Sequence, residues 1–127
     1  MIFLSRRVNT EGLQEVQLNT LEDKQKYVGG YITALGILDT IVIWSNDYIA
    51  EPSLDNLNLI LKYGADSNGK EIETYIFGDC YFASKDVNGK SVPLSSGDLR
   101  MLLGHKESAR LKDNGHTIWV INAVKSK

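Results

Sequence analysis

The sequence predicts an α+β fold, a mainly antiparallel β-sheet with two or three short helices in a single domain. Three observations carry this expectation. Short β-branched and aromatic runs recur between Gly, Asn and Asp turns. Two stretches instead begin with helix-capping residues and end in glycine. The chain, 127 residues of which 43% are hydrophobic, is long and apolar enough to close one core without disulfides or metal.

In chain order, Ile2, Leu4 and Val8 with Val16 and Leu18 predict a hairpin turning at Asn9 to Gly12. NTLEDKQKYVGG follows, with Thr20 as helix cap and Asp23 in the positively polarised first turn. Gly29 or Gly30 is expected to stop that helix, because glycine accepts the left-handed backbone that ends helices. A phosphate cradle needs the opposite order, glycines before the helix, so the pair is read as structural. YITALGI, TIVIW and Tyr48-Ile49-Ala50 then predict three successive strands.

EPSLDNLNLILKYG carries both periods: Leu54, Leu57 and Leu61 suit a helix, whereas Leu57, Leu59 and Leu61 suit a strand. Ser53 as a cap tips the reading of 53–62 towards helix. The turn ADSNGKE leads into IETYIFGDCYFASKD, read as one strand bent or bulged at Gly78, and Asn88-Gly89 makes the next turn. SVPLSSGDLRMLLGH predicts a short strand and a helix capped by Ser95 or Ser96, with Leu99, Leu102 and Leu103 inward and Gly104 as its stop. HTIWVINAV, apolar on both faces, is expected to complete the sheet begun by the N-terminal hairpin.

Charge and cysteine content restrict the setting. Residues 1–99 carry eight Lys and Arg against 14 Asp and Glu, a balance of −6; residues 100–127 carry six against two, a balance of +4. An overall −2 argues against general DNA binding. Cys80 is the only cysteine, which fits a reducing cytoplasm. The apolar start is too short for a signal peptide, and no apolar run approaches a membrane span.

Candidate chemistry is sparse. His105 and His116 belong to no zinc-binding spacing, and neither a metal nor a cofactor is expected. Cys80 sits in FGDCYF, a core-like run, and is read as a small buried hydrophobe rather than a nucleophile. Asp79 follows a strand glycine between aromatic residues, and its ordinary role is to turn the strand or pair with a lysine. Aromatic residues at element ends, Tyr31, Trp44 and Tyr48 with Asp47 beside them, are candidate binding residues. Arg100, Lys106, Arg110 and Lys112 form a basic set able to meet an acidic surface, RNA or a phosphate.

Taken together, TLEDKQKYVGGYITAL, TIVIWSND, EPSLDNLNLILKYG, YIFGDCYFASKD and VPLSSGDLRMLL resemble the family called domain of unknown function 3846, over about residues 14–103. VGGYI and IFGD are the specific stretches. The chain departs from the pattern at Ser53-Leu54, where the family tends to carry Asn after the proline. Residues 104–127 read as a basic C-terminal extension with a final strand. The resemblance implies a phage or mobile-element setting and supplies no catalytic residue.

The expectation is therefore a non-catalytic binder that occupies a host defence protein or ribonucleoprotein in the manner of an anti-CRISPR protein. A homodimer is compatible with it. Two alternatives stand beside it: an oligomeric sponge that sequesters a signalling nucleotide through the basic set, and a metal-dependent hydrolase using Asp79.

Overall fold

The computed structural model describes residues 1–123. Lys125 and Lys127, part of the basic end, lie outside them. In chain order the elements are β1 (Ile2–Arg6), β2 (Gln14–Gln17), α1 (Leu21–Val28), β3 (Ile32–Ile37), β4 (Ile41–Asn46) and β5 (Leu57–Ala65). Then follow β6 (Glu71–Phe77), β7 (Cys80–Lys85), β8 (Ser91–Pro93), α2 (Ser96–His105), β9 (Lys106–Arg110) and β10 (Thr117–Asn122). The α+β expectation with mainly antiparallel strands and two helices is what the chain forms.

The strands make two sheets rather than one. The first has the order β2-β1-β7-β4-β3, with β8 also paired to β7. The second has the order β6-β5-β10-β9, antiparallel except where β10 runs parallel to β5. Ile41, Ile43 and Phe82 of the first sheet meet Leu59, Leu61, Trp119 and Ile121 of the second in the main core, which Leu102 of α2 joins. On the other side of the first sheet, Phe3, Tyr81 and Ala83 pack with Leu18 and with Val28 of α1. β7 is thus covered on both faces, Phe82 inward and Tyr81 outward, which explains why its sequence is apolar without interruption.

Helix α1 starts and stops where its sequence says. Thr20 Oγ1 accepts from the Asp23 N–H and the Asp23 carboxylate accepts from the Thr20 N–H, closing a capping box. Gly29 takes the left-handed conformation (φ 88°), and the Gly29 and Gly30 N–H groups both donate to Gln25 O at 2.9 Å. Those donors are consumed by the helix end.

Gly30 has a separate reason to be glycine. A Cβ there would sit 3.0 Å from Asn46 Nδ2, and that amide donates to Val28 O while its oxygen accepts from the Tyr48 N–H. We expect Gly30→Ala to displace the amide and cost about 1–2 kcal/mol in urea unfolding, the value of a lost hydrogen bond or two. In an Asn46→Ala background the same substitution should cost much less; equal penalties in both backgrounds would refute the contact.

Several expectations need correction. Residues 53–62 are not a helix: residues 54–56 form a turn, and β5 begins at Leu57, because Leu57, Leu59 and Leu61 are all buried while Leu54 is exposed. Tyr48-Ile49-Ala50 forms no third strand, since Asn46 turns the chain there. IETYIFGDCYF is two strands in different sheets, divided at Gly78 with φ 82°. Leu103 is exposed and Gly104 does not stop α2, which runs to His105 and passes directly into the unforeseen strand β9. Finally, β10 completes the second sheet and not that of the hairpin, which places the supposed extension at the centre of the fold.

Candidate functional site

The first sheet brings distant stretches to one end. β1 finishes at Arg6, opposite Cys80 where β7 starts, while β4 finishes at Asn46, two residues past the Trp44–Tyr81 pair. β3 starts there too, with Ile32 opposite Asn46, and the last turn of α1 lies in the same region. The VGGYI and IFGD stretches therefore meet on a single rim with Arg7 and Asn46–Tyr48. Asp79 Oδ1 accepts from the Val8 N–H at 3.0 Å, and Asp79 Oδ2 lies 3.8 Å from Arg7 Nη1. Asp79 thus has a structural role, with an arginine in place of the expected lysine. The Arg7 guanidinium also covers the Tyr27 ring at 5.6 Å, and burial raises the Tyr27 hydroxyl above its ordinary range.

At the β3 corner of this rim Tyr31 and Tyr48 are 78% and 75% exposed, with exposed Asp47 donating its N–H to Tyr31 O at 2.7 Å. A cleft of about 360 Å³ opens beside them between β3–β4 and β6, lined by Thr33, Leu35, Asn46, Asp47, Ile49 and Phe77. Tyr31, Asp47 and Tyr48 are thus brought together as candidate binding residues. Trp44 is not one of them: its ring stacks on Tyr81, 6.4 Å between centroids, and its Nε1–H donates to Ser91 Oγ. The fold holds that ring in its outer layer.

The basic candidates lie elsewhere. Arg100 is on α2, Lys106 and Arg110 on β9, and Lys112 in the turn after it. The β9 edge and the β6 edge are separated by the three strand spacings of the second sheet, roughly 14 Å. Lys106 Nζ sits 4.9 Å from the Trp119 ring and serves the core edge. A larger cleft of about 830 Å³ borders Lys62, Glu71, Glu73, His105, Lys106 and Glu107. Of the four predicted basic residues only Lys106 reaches it, among three glutamates, a setting that gives a phosphate no advantage. Tyr75 and Ile49, missed in the sequence, also belong near the rim cleft; the alternation in EIETYIF was the available signal for Tyr75.

Cys80 is fully buried, and burial raises its thiol to about 12. A raised acid keeps its proton in the fold after the unfolded chain has lost it, so its stabilising contribution is whole below pH 9 and is lost as pH climbs towards 12. We expect the urea midpoint to fall between about pH 8 and pH 10, and to fall less in Cys80→Ala. A thiol reagent should modify Cys80 only at the rate of unfolding; rapid labelling of the native protein would contradict its burial.

Among the described residues no group of three His, Cys, Asp or Glu is placed to hold a metal ion, and no helix is long and apolar enough to cross a membrane. Fold and site together define a small two-sheet α+β domain whose aromatic and polar groups gather on an open rim. The chain belongs to the family described as domain of unknown function (DUF3846), whose model matches residues 4–107. The match begins earlier than the resembling stretches and ends inside β9. No curated protein and no solved structure matches the chain.

Proposed function

We propose that this domain is a non-catalytic binding protein that takes an extended segment of a partner protein along the free edge of β3. The observation that carries the reading is the character of that edge. Because Tyr31 O bonds inward to Asp47, antiparallel geometry turns the N–H and C=O groups of Ile32, Ala34 and Gly36 outward. Outer strands normally carry charge that discourages pairing. β2, β6 and β9 do so through Glu15, Glu71 with Glu73, and Lys106 with Glu107 and Arg110; β3 has no charged residue and no proline.

A strand added there would lie between the Tyr31–Tyr48 corner and the cleft, giving hydrogen bonds from the edge and side-chain selection from the cleft. The partner we favour is a host defence protein or ribonucleoprotein, a choice in keeping with the phage or mobile-element setting that the family resemblance implies. The acidic balance of residues 1–99 is suited to a basic partner surface. Among the described residues Arg100, Lys106, Arg110 and Lys112 supply no common phosphate pocket, so the nucleotide-sponge alternative has less support.

The test is selection of binders from a displayed library of charged and uncharged peptides. Uncharged extended peptides with alternating apolar residues should be enriched. Ala34→Pro, which removes one outward donor, should abolish their binding while the thermal midpoint shows the variant folded. Selected peptides indifferent to Ala34→Pro and to Tyr31→Ala/Tyr48→Ala would overturn the proposal. So would a wild-type dimer that Ala34→Pro dissociates, since the occupant would then be a second copy.

A further inference from the structure

We propose that Asn68 and Asn88 are twin sites of spontaneous deamidation, and that the fold protects the third Asn-Gly pair at Asn114. The first two lie in matching Asp-x-Asn-Gly-Lys turns, residues 66–70 and 86–90. In each, the Asp carboxylate accepts from the Asn N–H and the Lys N–H: Asp66 at 2.8 and 3.0 Å, Asp86 at 2.8 and 2.9 Å. Each glycine N–H bonds back to the Asp carbonyl at 3.0 Å, and the glycine φ angles are 80° and 79°. Two segments of different sheets thus use one turn, held by the same Asp side chain.

The reaction requires only the residue itself, its neighbour and water. The glycine nitrogen gives up its proton and attacks Asn Cγ, the new C–N bond closes a succinimide, the Cγ–Nδ2 bond breaks, and the amide nitrogen takes up a proton and leaves as ammonia. Water then opens the ring at either carbonyl to leave aspartate or isoaspartate. No electrons are transferred. Glycine favours the attack because it has no side chain beside the nucleophile. The remaining requirement is that the Asn side chain swing over the following nitrogen.

Here the three sites differ. Asn68 and Asn88 are exposed, and among the described residues their side chains make no hydrogen bond. Asn114 is half-buried and held at both ends: its Nδ2 donates to Asp55 Oδ1 at 3.0 Å, and its oxygen accepts from the His116 N–H at 3.0 Å. The glycine N–H is bonded at all three, to Asp66, Asp86 or Leu111, so that bond does not distinguish them. The side-chain bonds do. At Asn68 and Asn88 the conversion also exchanges a neutral amide for a carboxylate at an exposed turn.

The folded 127-residue chain would be held in mildly alkaline buffer, and peptide mapping by mass spectrometry would follow the aspartate and isoaspartate products at each site. Asn68 and Asn88 should convert at similar rates, and Asn114 about tenfold more slowly or worse, the factor carried by two ordinary hydrogen bonds. In urea the three rates should converge, and Asp55→Ala should accelerate Asn114 in the folded protein. Conversion of native Asn114 as fast as the other two, or persistence of Asn68 and Asn88 while Asn114 reacts, would overturn the assignment. Rates that stay unequal in urea would overturn the structural cause.

Discussion

A chain ending at Glu107, where the family match ends, will not fold. β10 lies between β5 and β9, and it brings fully buried Trp119 and Ile121 with nearly buried Ile118 into the molecule. Burial of large apolar side chains is worth about 1.5–3 kcal/mol each. Three of them approach the whole stability of a small domain, about 5–15 kcal/mol. The same cut removes most of β9 and leaves one side of β5 open. Circular dichroism and proton-nitrogen correlation spectra of residues 1–107 should therefore show an unfolded chain, and a dispersed native-like spectrum would disprove the role assigned to β10. Within the full chain, Trp119→Ala should lower stability by about 3–5 kcal/mol, because a large side chain leaves a cavity that neighbours fill only in part.

The second large effect is expected at Arg6, whose side chain is completely buried. Its guanidinium donates to Asn58 O at 2.7 Å, to Asn58 Oδ1, to Thr10 O at 2.5 Å and to Thr117 O at 3.0 Å. Asn58 reciprocates by donating to Arg6 O and Gly78 O, both at 2.8 Å. β1 of the first sheet is thereby joined to β5 and β10 of the second. The four acceptors are uncharged, and burial lowers the guanidinium to about 10, still protonated at neutral pH. Arg6→Met would leave several buried oxygens without donors, at a cost of about 3 kcal/mol or more in urea unfolding. Arg6→Lys should not restore it, since a single ammonium cannot span acceptors that a planar fork reaches. Wild-type stability in Arg6→Lys would refute this reading.

These two predictions rest on features that were legible to different degrees. The ends of α1 could be read residue by residue, because Thr20, Asp23 and Gly29 act on backbone groups within a few positions of themselves. The buried state of Cys80 was legible from its apolar neighbours. The period of residues 53–62 was not, because leucines at 54, 57, 59 and 61 satisfy both a helix and a strand. The choice fell to long-range contacts: Leu57, Leu59 and Leu61 meet the core, and Asn58 between them is buried with its polar groups satisfied by Arg6, 52 residues earlier, and by Gly78 O.

The candidate site divides in the same way. Exposed tyrosines at strand ends could be anticipated at Tyr31 and Tyr48, whereas their separation from Arg100, Lys106, Arg110 and Lys112 depends on which strands pair. By itself the sequence determined the α+β class, the helix punctuation, most of the turns and the apolar character of the central strands, since these follow from local backbone preferences and alternation. Only the tertiary structure decided that the strands divide into two sheets at Gly78, that β10 belongs with β5, and that β3 is left as an uncharged edge. Strand partners are chosen by contacts between residues far apart in the chain, and no local preference encodes them.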